Sequence, residues 1–453
     1  MSFLLYLTAF FSLATAIPFP LPTNIHSRQA PNLKDGAYLI TYKPNDSPVV
    51  YKGPLMITSN STAIHISGDL YNGTSQPDPS KGTPKLPRAN YYGFLGADKL
   101  EQGSNGGFSL GLGLFLYNGL PNWPLSNVTD WVPKGDPWGI TPIPVDGGYN
   151  VDLVPKAVPS GFPDPASYYE GEVKFKSNGS SAGKFAMGWV DEHVRQYTLE
   201  IAAEQGLERP MSGTSGTRTW EKVFAEAHVK MNIVLGKSDI ATPEGGKWTS
   251  GQVHAAMLKY RNNGQPQDFD KEWRIFLIIT RRLTFVARGV MVDGDSKEWN
   301  YIPREVAAVA FEWPIGTLAD GTPDTRRKWP EDLRGKPFIT IKDACIRTAF
   351  HEVGHFMNLP HPDRFLGGLM DDTDTYADAY ETGESPRPFP ENVGVESFRF
   401  NDHDLFVMAH RPDTHVRPGW HDFGGATPDN YPRPVPDLLG EDDAAPPSGP
   451  AEA

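Results

Sequence analysis

Cysteine is almost absent from this chain. Cys345 is the single cysteine among 453 residues, so no internal disulfide framework can staple the fold. Cationic residues are also in the minority, with 42 lysines and arginines against 55 aspartates and glutamates and a formal net charge of −13. Nucleic-acid binding depends on clustered lysine and arginine that neutralise phosphates. The composition therefore argues against a nucleic-acid partner.

Long hydrophobic runs are scarce as well. The apolar run at residues 1–16, MSFLLYLTAFFSLATA, is shorter than the roughly 20 residues that a membrane-spanning helix needs. It ends in Ala-Thr-Ala, which is typical of a signal-peptide cleavage site. We expect residues 1–16 to be a signal peptide, residues 17–36 to be a flexible leader, and the protein to be secreted and extracellular with no stable membrane anchor. An N-terminal anchor is the less favoured alternative.

Asparagine sequons support secretion, because Asn-X-Ser/Thr is the acceptor pattern for glycosylation in secreted proteins. The candidates are Asn60, Asn72, Asn127 and Asn178. All four precede residue 180, so the sequence predicts a glycosylated front half and a bare back half.

Residues 37–211 are predicted to form a β-rich N-terminal domain, either a sandwich or a barrel-like fold. Residues 108–116 alternate with a period of two, which indicates a strand, and further short apolar runs are separated by glycine, proline and asparagine. The aromatic residues of this region, Tyr91 and Tyr92 among them, have two interpretations. They pack within the protein, or they form a face that contacts cell-wall glycans.

The pattern changes near residue 212, where helix-like and strand-like segments begin to alternate. Ser250 can cap a helix that continues to about Tyr260, and residues 274–280 form a continuous apolar run, as expected in a sheet covered on both faces. Such alternation predicts an α/β domain over residues 212–425, and hence a multidomain α+β protein. Residues 426–453 are rich in proline and acidic residues and are predicted to be a disordered tail.

The most specific signal is the segment HEVGHFMNLPH at residues 351–361. His351 and His355 are four residues apart, so one face of a helix presents both imidazoles to one metal ion. His361 reaches the same ion only if the chain reverses after the helix. Asn358 tolerates the left-handed conformation that such a reversal needs. Three imidazoles with an open fourth position describe a catalytic zinc site.

This segment resembles the metzincin clan of zinc metallopeptidases, whose pattern is H-E-x-x-H-x-x-G-x-x-H followed by a Met-turn. Asn358 stands where the pattern has glycine. Met370, nine residues after His361, is the candidate methionine of the Met-turn. The resemblance spans roughly residues 215–425 and is most specific within the histidine segment.

The resemblance implies a metzincin-like zincin catalytic domain with one Zn²⁺ ion. A zinc-activated water would attack the peptide bond, with Glu352 as the general base. Met370 would lie beneath the metal as a structural residue and not as a ligand. An edge strand at residues 286–292 or 305–311 would pair with a protein or peptide substrate. The implied zinc ligands are His351, His355 and His361.

Residues near the motif receive narrower predictions. Thr340 or Asp343 is a candidate N-cap for the motif helix, and Cys345 is interpreted as a small buried hydrophobic residue. Some metzincins carry a tyrosine two residues after the methionine. Here that position is Asp372, so Tyr376 and Tyr380 are the candidate substitutes. Asp363 is either an acceptor for the third ligand or a surface acid.

Several alternatives stay open at this point. The chain could be a catalytically inactive zinc-binding protein, a glycan-binding secreted protein in which the α/β half is scaffold, or a zinc hydrolase acting on a non-peptide amide. The N-terminal domain is either a binding module or an inhibitory pro-region, although it offers no cysteine to cap a zinc ion.

Overall fold

The computed structural model describes residues 33–59, 64–73, 77–116, 143–144, 148–214, 216–261, 272–284, 288–292, 304–318, 321–394, 396–420 and 423. The predicted signal peptide, most of the predicted leader, the sequons at Asn60 and Asn127 and the predicted tail lie outside these ranges. Within the described ranges, no helix has the length and apolar character needed to cross a membrane.

Eight antiparallel strands close into a barrel in the N-terminal half of the chain. The order runs β1-β2-β3-β4-β5-β7-β8-β9, and β9 pairs back with β1. The two-residue β6 pairs with the end of β5. The barrel-like alternative is therefore confirmed and the sandwich is wrong. The strands are β1 (Gly36–Pro44), β2 (Tyr51–Ser59), β3 (Ile64–Asn72), β4 (Tyr91–Gln102), β5 (Phe108–Leu116), β6 (Ile143–Pro144), β7 (Tyr149–Pro155), β8 (Tyr168–Phe175) and β9 (Ser181–Asp191).

Alternation along the strands fills the barrel with apolar side chains. In β5 the predicted period of two is confirmed, since Leu110, Leu112 and Leu114 are buried in one core cluster with residues of the other strands. Barrels of eight strands are just wide enough for side chains to fill. The barrel is thus a packed core of its own.

The second half of the molecule is a five-stranded sheet with helices, in the order β11-β10-β12-β14-β13. Its pairings are parallel except for the antiparallel edge strand β13. Every residue of β12 is buried, as its continuous apolar run predicted. The multidomain α+β organisation is confirmed. The strands are β10 (Arg195–Ala203), β11 (Val229–Leu235), β12 (Arg274–Thr280), β13 (Gly289–Val292) and β14 (Val306–Ala310).

The passage from barrel to sheet falls earlier than residue 212, where we placed the start of the second domain. β9 ends at Asp191 in the barrel, and β10 begins at Arg195 between β11 and β12 of the second sheet. Both strands have the same local β character, and only their long-range partners differ. Local pattern therefore does not reveal which sheet a strand joins.

Helices cover the second sheet, and those of the predicted α/β region match their sequence patterns closely. α2 spans residues 250–260, and its N-cap is Thr249, so the predicted cap Ser250 is instead the first helical residue. The motif helix α3 begins after Ile341, which makes no side-chain cap hydrogen bond, so the predicted caps Thr340 and Asp343 are wrong. Asp343 instead accepts a hydrogen bond from the Thr214 backbone N–H at 2.6 Å. The helices are α1 (Trp220–Ala225), α2 (Ser250–Tyr260), α3 (Lys342–Phe356), α4 (Thr373–Thr382), α5 (Asp402–His410) and α6 (Asp413–Val416), with 3-10 turns at Pro79–Lys81, Arg88–Asn90, Phe338–Thr340 and Glu396–Phe398.

Candidate metal centre

Helix α3 carries the first two predicted ligands in the interior of the second domain. From Ala344 to its end every residue is buried, and its apolar positions belong to the core of this domain. Cys345 is fully buried, which raises the pKa of its thiol and confirms its interpretation as a packing residue. The helix packs against β12, β13 and β14. The sheet thus fixes the position of the ligand face.

The three predicted histidines come together at the end of α3. The Nε2 atom of His351 lies 3.0 Å from that of His355 and 2.9 Å from that of His361. One ligand atom from each residue lies within 4.8 Å of the others, and the group is the metal-capable cluster found among the described residues. Imidazole nitrogens around a tetrahedral zinc ion are about 3.3 Å apart. The two separations from His351 lie within about half an ångström of that value, and the whole cluster is compact enough to hold one ion.

Backbone carbonyls fix the tautomers of the two helical histidines. Nδ1 of His351 lies 2.8 Å from the Leu369 carbonyl oxygen, and Nδ1 of His355 lies 2.7 Å from the Leu359 carbonyl oxygen. A carbonyl oxygen can only accept, so each Nδ1 carries the proton. Both Nε2 atoms consequently present lone pairs to each other at 3.0 Å. A shared cation satisfies two facing lone pairs, and the residues present fit a zinc ion.

Electrostatics keep the imidazoles neutral, as metal ligation requires. Burial lowers the pKa of His355 to about 3 and, with the neighbouring His355, lowers the pKa of His351 well below its ordinary value. His361 is exposed at the open side of the cluster. Its pKa is also lowered by desolvation, while Asp372 opposes that shift. Three uncharged nitrogen donors therefore face one point.

A left-handed turn brings the third histidine back to the helix. Asn358 has a φ of 64°, as its sequence position predicted. Its N–H donates to the His355 carbonyl at 2.9 Å, and the Leu359 N–H reaches the Gly354 carbonyl at 3.4 Å. This pair of bonds is the Schellman motif that ends helices at a left-handed residue. The same turn supplies the Leu359 carbonyl that fixes His355.

Met370 packs directly against the helix between the two helical ligands. A Cβ added to Gly354 would lie 2.5 Å from the Met370 sulphur, so a larger residue at that helix position would displace the methionine. Met370 itself is buried. The preceding residue, Leu369, provides the carbonyl that binds His351. The turn at residues 367–371, called the Met-turn below, is therefore part of the wall of the site.

Two charged residues that the sequence analysis missed hold the Met-turn in place. The buried Arg347 guanidinium donates to the carbonyls of Gly368, Leu369 and Asp371. The Asp371 carboxylate accepts from the backbone N–H groups of Leu366 and Gly368 at 3.0 and 2.7 Å. Arg347 precedes His351 by four residues and so shares its helix face. The separation of four residues between Arg347 and His351 was the sequence feature that could have pointed to Arg347.

Glu352 lies between α3 and the edge strand β13. It is buried, and its carboxylate accepts a hydrogen bond from the Met291 N–H. A Cβ on Gly289 would lie 2.7 Å from both Cγ and Cδ of Glu352. Desolvation raises the pKa of Glu352 to about 8, although the Met291 bond lowers it. A nearby dication would favour the ionised form. The carboxylate thus sits where helix and strand meet.

Of the two candidate edge strands, one lies inside the sheet and the other lies at its edge. Residues 305–311 contain β14, which lies between β12 and β13 inside the sheet, so this candidate is wrong. β13 is an edge strand, and among the described residues no strand pairs with its outer side. The strand that borders Glu352 is therefore one of the two edge strands of this sheet, with β11 at the opposite edge.

Of the remaining predicted side chains, two make structural hydrogen bonds and two are exposed. Tyr376 is buried and donates to the Gly368 carbonyl at 3.2 Å behind the Met-turn, whereas Tyr380 is exposed. Asp372 caps α4 by accepting from the Thr375 N–H. Asp363, the candidate acceptor for His361, is exposed.

Two of the glycosylation candidates and both tyrosines named as glycan-face candidates lie in the described ranges. Asn72 ends β3 and Asn178 lies in the turn before β9, and both are exposed. Tyr91 packs edge-on against Trp420 of the second domain, with ring centroids 5.2 Å apart, and Tyr92 stacks on Tyr51 at 3.9 Å. These two tyrosines therefore follow the packing interpretation.

Comparison of this chain with protein-family models, with curated proteins and with solved structures yields no match.

Proposed function

We propose that this chain is a secreted zinc-dependent metalloendopeptidase of the metzincin type. The observation that carries the proposal is the convergence of three imidazole Nε2 atoms, those of His351, His355 and His361, with the tautomers of the first two set by backbone carbonyls. Structural zinc sites are filled by four protein ligands, whereas catalytic sites keep an open position. The exposed side of His361 supplies that opening.

Three histidine nitrogens suit zinc and its use as a Lewis acid in hydrolysis. A zinc ion held by the three histidines would supply Lewis-acid activation of water and of the substrate carbonyl. Neutral nitrogen donors leave most of the charge of the ion available for this purpose. The Met-turn and the Asn358 turn hold the two helical imidazoles from opposite ends through the carbonyls of Leu369 and Leu359. Such outer partners orient ligands and strengthen their basicity.

In this proposal Glu352 is the residue that moves the proton. It follows His351 directly on α3, yet its carboxylate turns towards β13, where the Met291 N–H binds it. In the proposed reaction it takes a proton from the attacking water and delivers it to the leaving amine. Its burial removes competing bulk water, and the Met291 bond keeps the carboxylate in one orientation.

The open edge of β13 favours a peptide substrate over a small amide. A strand edge offers backbone donors and acceptors to an extended chain, and this edge begins at Gly289, in contact with Glu352. A peptide that adds to the edge would therefore pass the general base. Asn72 and Asn178 are exposed and so meet the requirement of glycosylation in a secreted protein for accessible asparagines.

The test compares wild type with Glu352→Gln, using Glu221→Gln as a control on the exposed surface of α1. Wild type and the control should hydrolyse casein in a chelator-sensitive manner. Glu352→Gln should retain zinc and lose hydrolysis by about 10²–10⁴-fold, the usual contribution of a general base. Equal hydrolysis by Glu352→Gln would overturn the assignment. Zinc binding without any hydrolysis by wild type would favour the inactive zinc-binding alternative.

A further inference from the structure

The departure from the metzincin pattern at Asn358 has a structural counterpart. A positive φ is adopted at little cost by glycine and, among other residues, best by asparagine. Asn358 fulfils the conformational role with a φ of 64° and is buried. It also has a side chain, which glycine lacks. The question is what that side chain contacts.

The Asn358 amide is hydrogen-bonded to a histidine outside the metal cluster. Its Nδ2 lies 3.1 Å from Nδ1 of His415. His415 belongs to the short helix α6 and is itself buried. The turn that leads to His361 is therefore attached to α6 through a side chain that a glycine would not provide.

Helix α6 is in turn fixed to the barrel by a buried polar network. The Asp413 carboxylate accepts from the Tyr71 hydroxyl, and the Asp413 N–H donates to Asp69 at 3.0 Å. Tyr71 and Asp69 both belong to β3 of the barrel. Tyr91 of β4 also donates to Asp69, at 2.8 Å. The barrel wall thus binds the first residue of α6.

Arg195 completes this network at the entry to the second sheet. Its guanidinium lies 3.7 Å from Asp69 and 3.3 Å from Asp413, and it donates to the carbonyls of Met408, Ala409 and Arg411. Arg195 and the two carboxylates are buried. Charge-assisted hydrogen bonds of this kind are the strong ones. The segment that carries His415 is therefore held at several points.

From this chain of contacts we infer that Asn358 is a positioning residue for the third metal ligand, and that the barrel supports it through α6 and His415. The inference rests on the proposed function, because the ion whose affinity it raises is the proposed zinc. The inference makes the barrel a permanent support of the metal centre. It therefore disfavours the alternative in which the N-terminal domain is a pro-region removed during maturation.

The test measures the zinc dissociation constant by competition with a chelating dye at one fixed pH, together with the melting temperature of the metal-free protein. The variants are Asn358→Gly, which keeps access to the left-handed conformation, His415→Phe and the double variant. Each single variant should bind zinc about 10-fold more weakly, the lower end of the range for outer partners of metal ligands. The double variant should bind no more weakly than the singles, since both remove the same bond.

Asn105→Gly is the matched control, because Asn105 has a φ of 56° in an exposed turn of the barrel. It should bind zinc as tightly as wild type. Single variants that melt earlier yet keep wild-type zinc affinity would show a merely structural bond and overturn the inference, as would additive losses in the double variant. If Asn358→Gly does not fold, His415→Phe decides alone. If the wild-type protein binds no zinc, the proposed function itself is wrong. That result is distinct from a failure of the inference about Asn358 alone.

Discussion

Gly289 offers the sharpest perturbation of the proposed general base. It begins β13, and a Cβ at this position would lie 2.7 Å from Cγ and Cδ of Glu352, where ordinary contacts start at 3.4 Å. Gly289→Ala therefore forces these two atoms of Glu352 to retreat by about 0.7 Å, and a misplacement on the order of 1 Å costs about 10²-fold in rate. This corresponds to about 2.7 kcal/mol of activation free energy. The three atoms nearest to that Cβ all belong to Glu352 and none to the three histidines, so zinc affinity should stay unchanged.

The assay is kcat/KM on a fluorogenic peptide, with zinc content and thermal unfolding measured on the same preparations. Gly73→Ala is the control, because a Cβ on Gly73 meets nothing within 4 Å. The control should match wild type. Overpacking should also lower the free energy of unfolding of Gly289→Ala by about 1–3 kcal/mol. A folded Gly289→Ala protein with kcat/KM within about 3-fold of wild type would refute the placement of Glu352 in catalysis.

Three further outcomes follow from the contacts described above. Arg347→Met removes the hydrogen bonds to the Met-turn carbonyls and should lower the free energy of unfolding by about 3 kcal/mol in a denaturant titration; a loss below about 1 kcal/mol would contradict that role. Tyr376→Phe should leave kcat/KM within about 3-fold of wild type, because the hydroxyl binds the Gly368 carbonyl, whereas a hundredfold fall would place this phenol in the transition state. Intact-mass measurement of active protein from a secreting host should show that the barrel is retained, because Asp69 and Tyr71 of the barrel bind the buried Asp413 of α6. An active species that begins after Arg195 would contradict this expectation.

The local elements of the fold were accessible from the sequence because their patterns are local. β12 has the bounds that its apolar run predicted, α2 begins one residue earlier than predicted, and the period of two located β5. The placement of β10 in the second sheet was not accessible, since its parallel partners β11 and β12 are distant in the chain. Closure of the barrel likewise depends on the pairing of β1 with β9. Pairing between strands so far apart in the sequence produces no periodic pattern in either strand.

The site divides in the same way. His351 and His355 share a face by helical geometry alone, and Asn358 at a positive φ follows from residue type. The carbonyls that fix the tautomers, from Leu359 and Leu369, depend on where two turns lie in space. The bond from Asn358 to His415 joins segments 57 residues apart. Residue types in the sequence do not indicate which backbone carbonyls or which distant side chains will be the hydrogen-bond partners.

X-ray absorption spectroscopy at the zinc edge tests the central claim most directly. On purified wild type reconstituted with one equivalent of zinc, we predict three imidazole nitrogens at about 2.0–2.1 Å and one further light-atom ligand. His361→Ala should lose one imidazole from that shell, because its Nε2 lies with those of the two helical histidines. A protein that binds no zinc, or a wild-type spectrum with fewer than three imidazoles that His361→Ala leaves unchanged, would contradict the account.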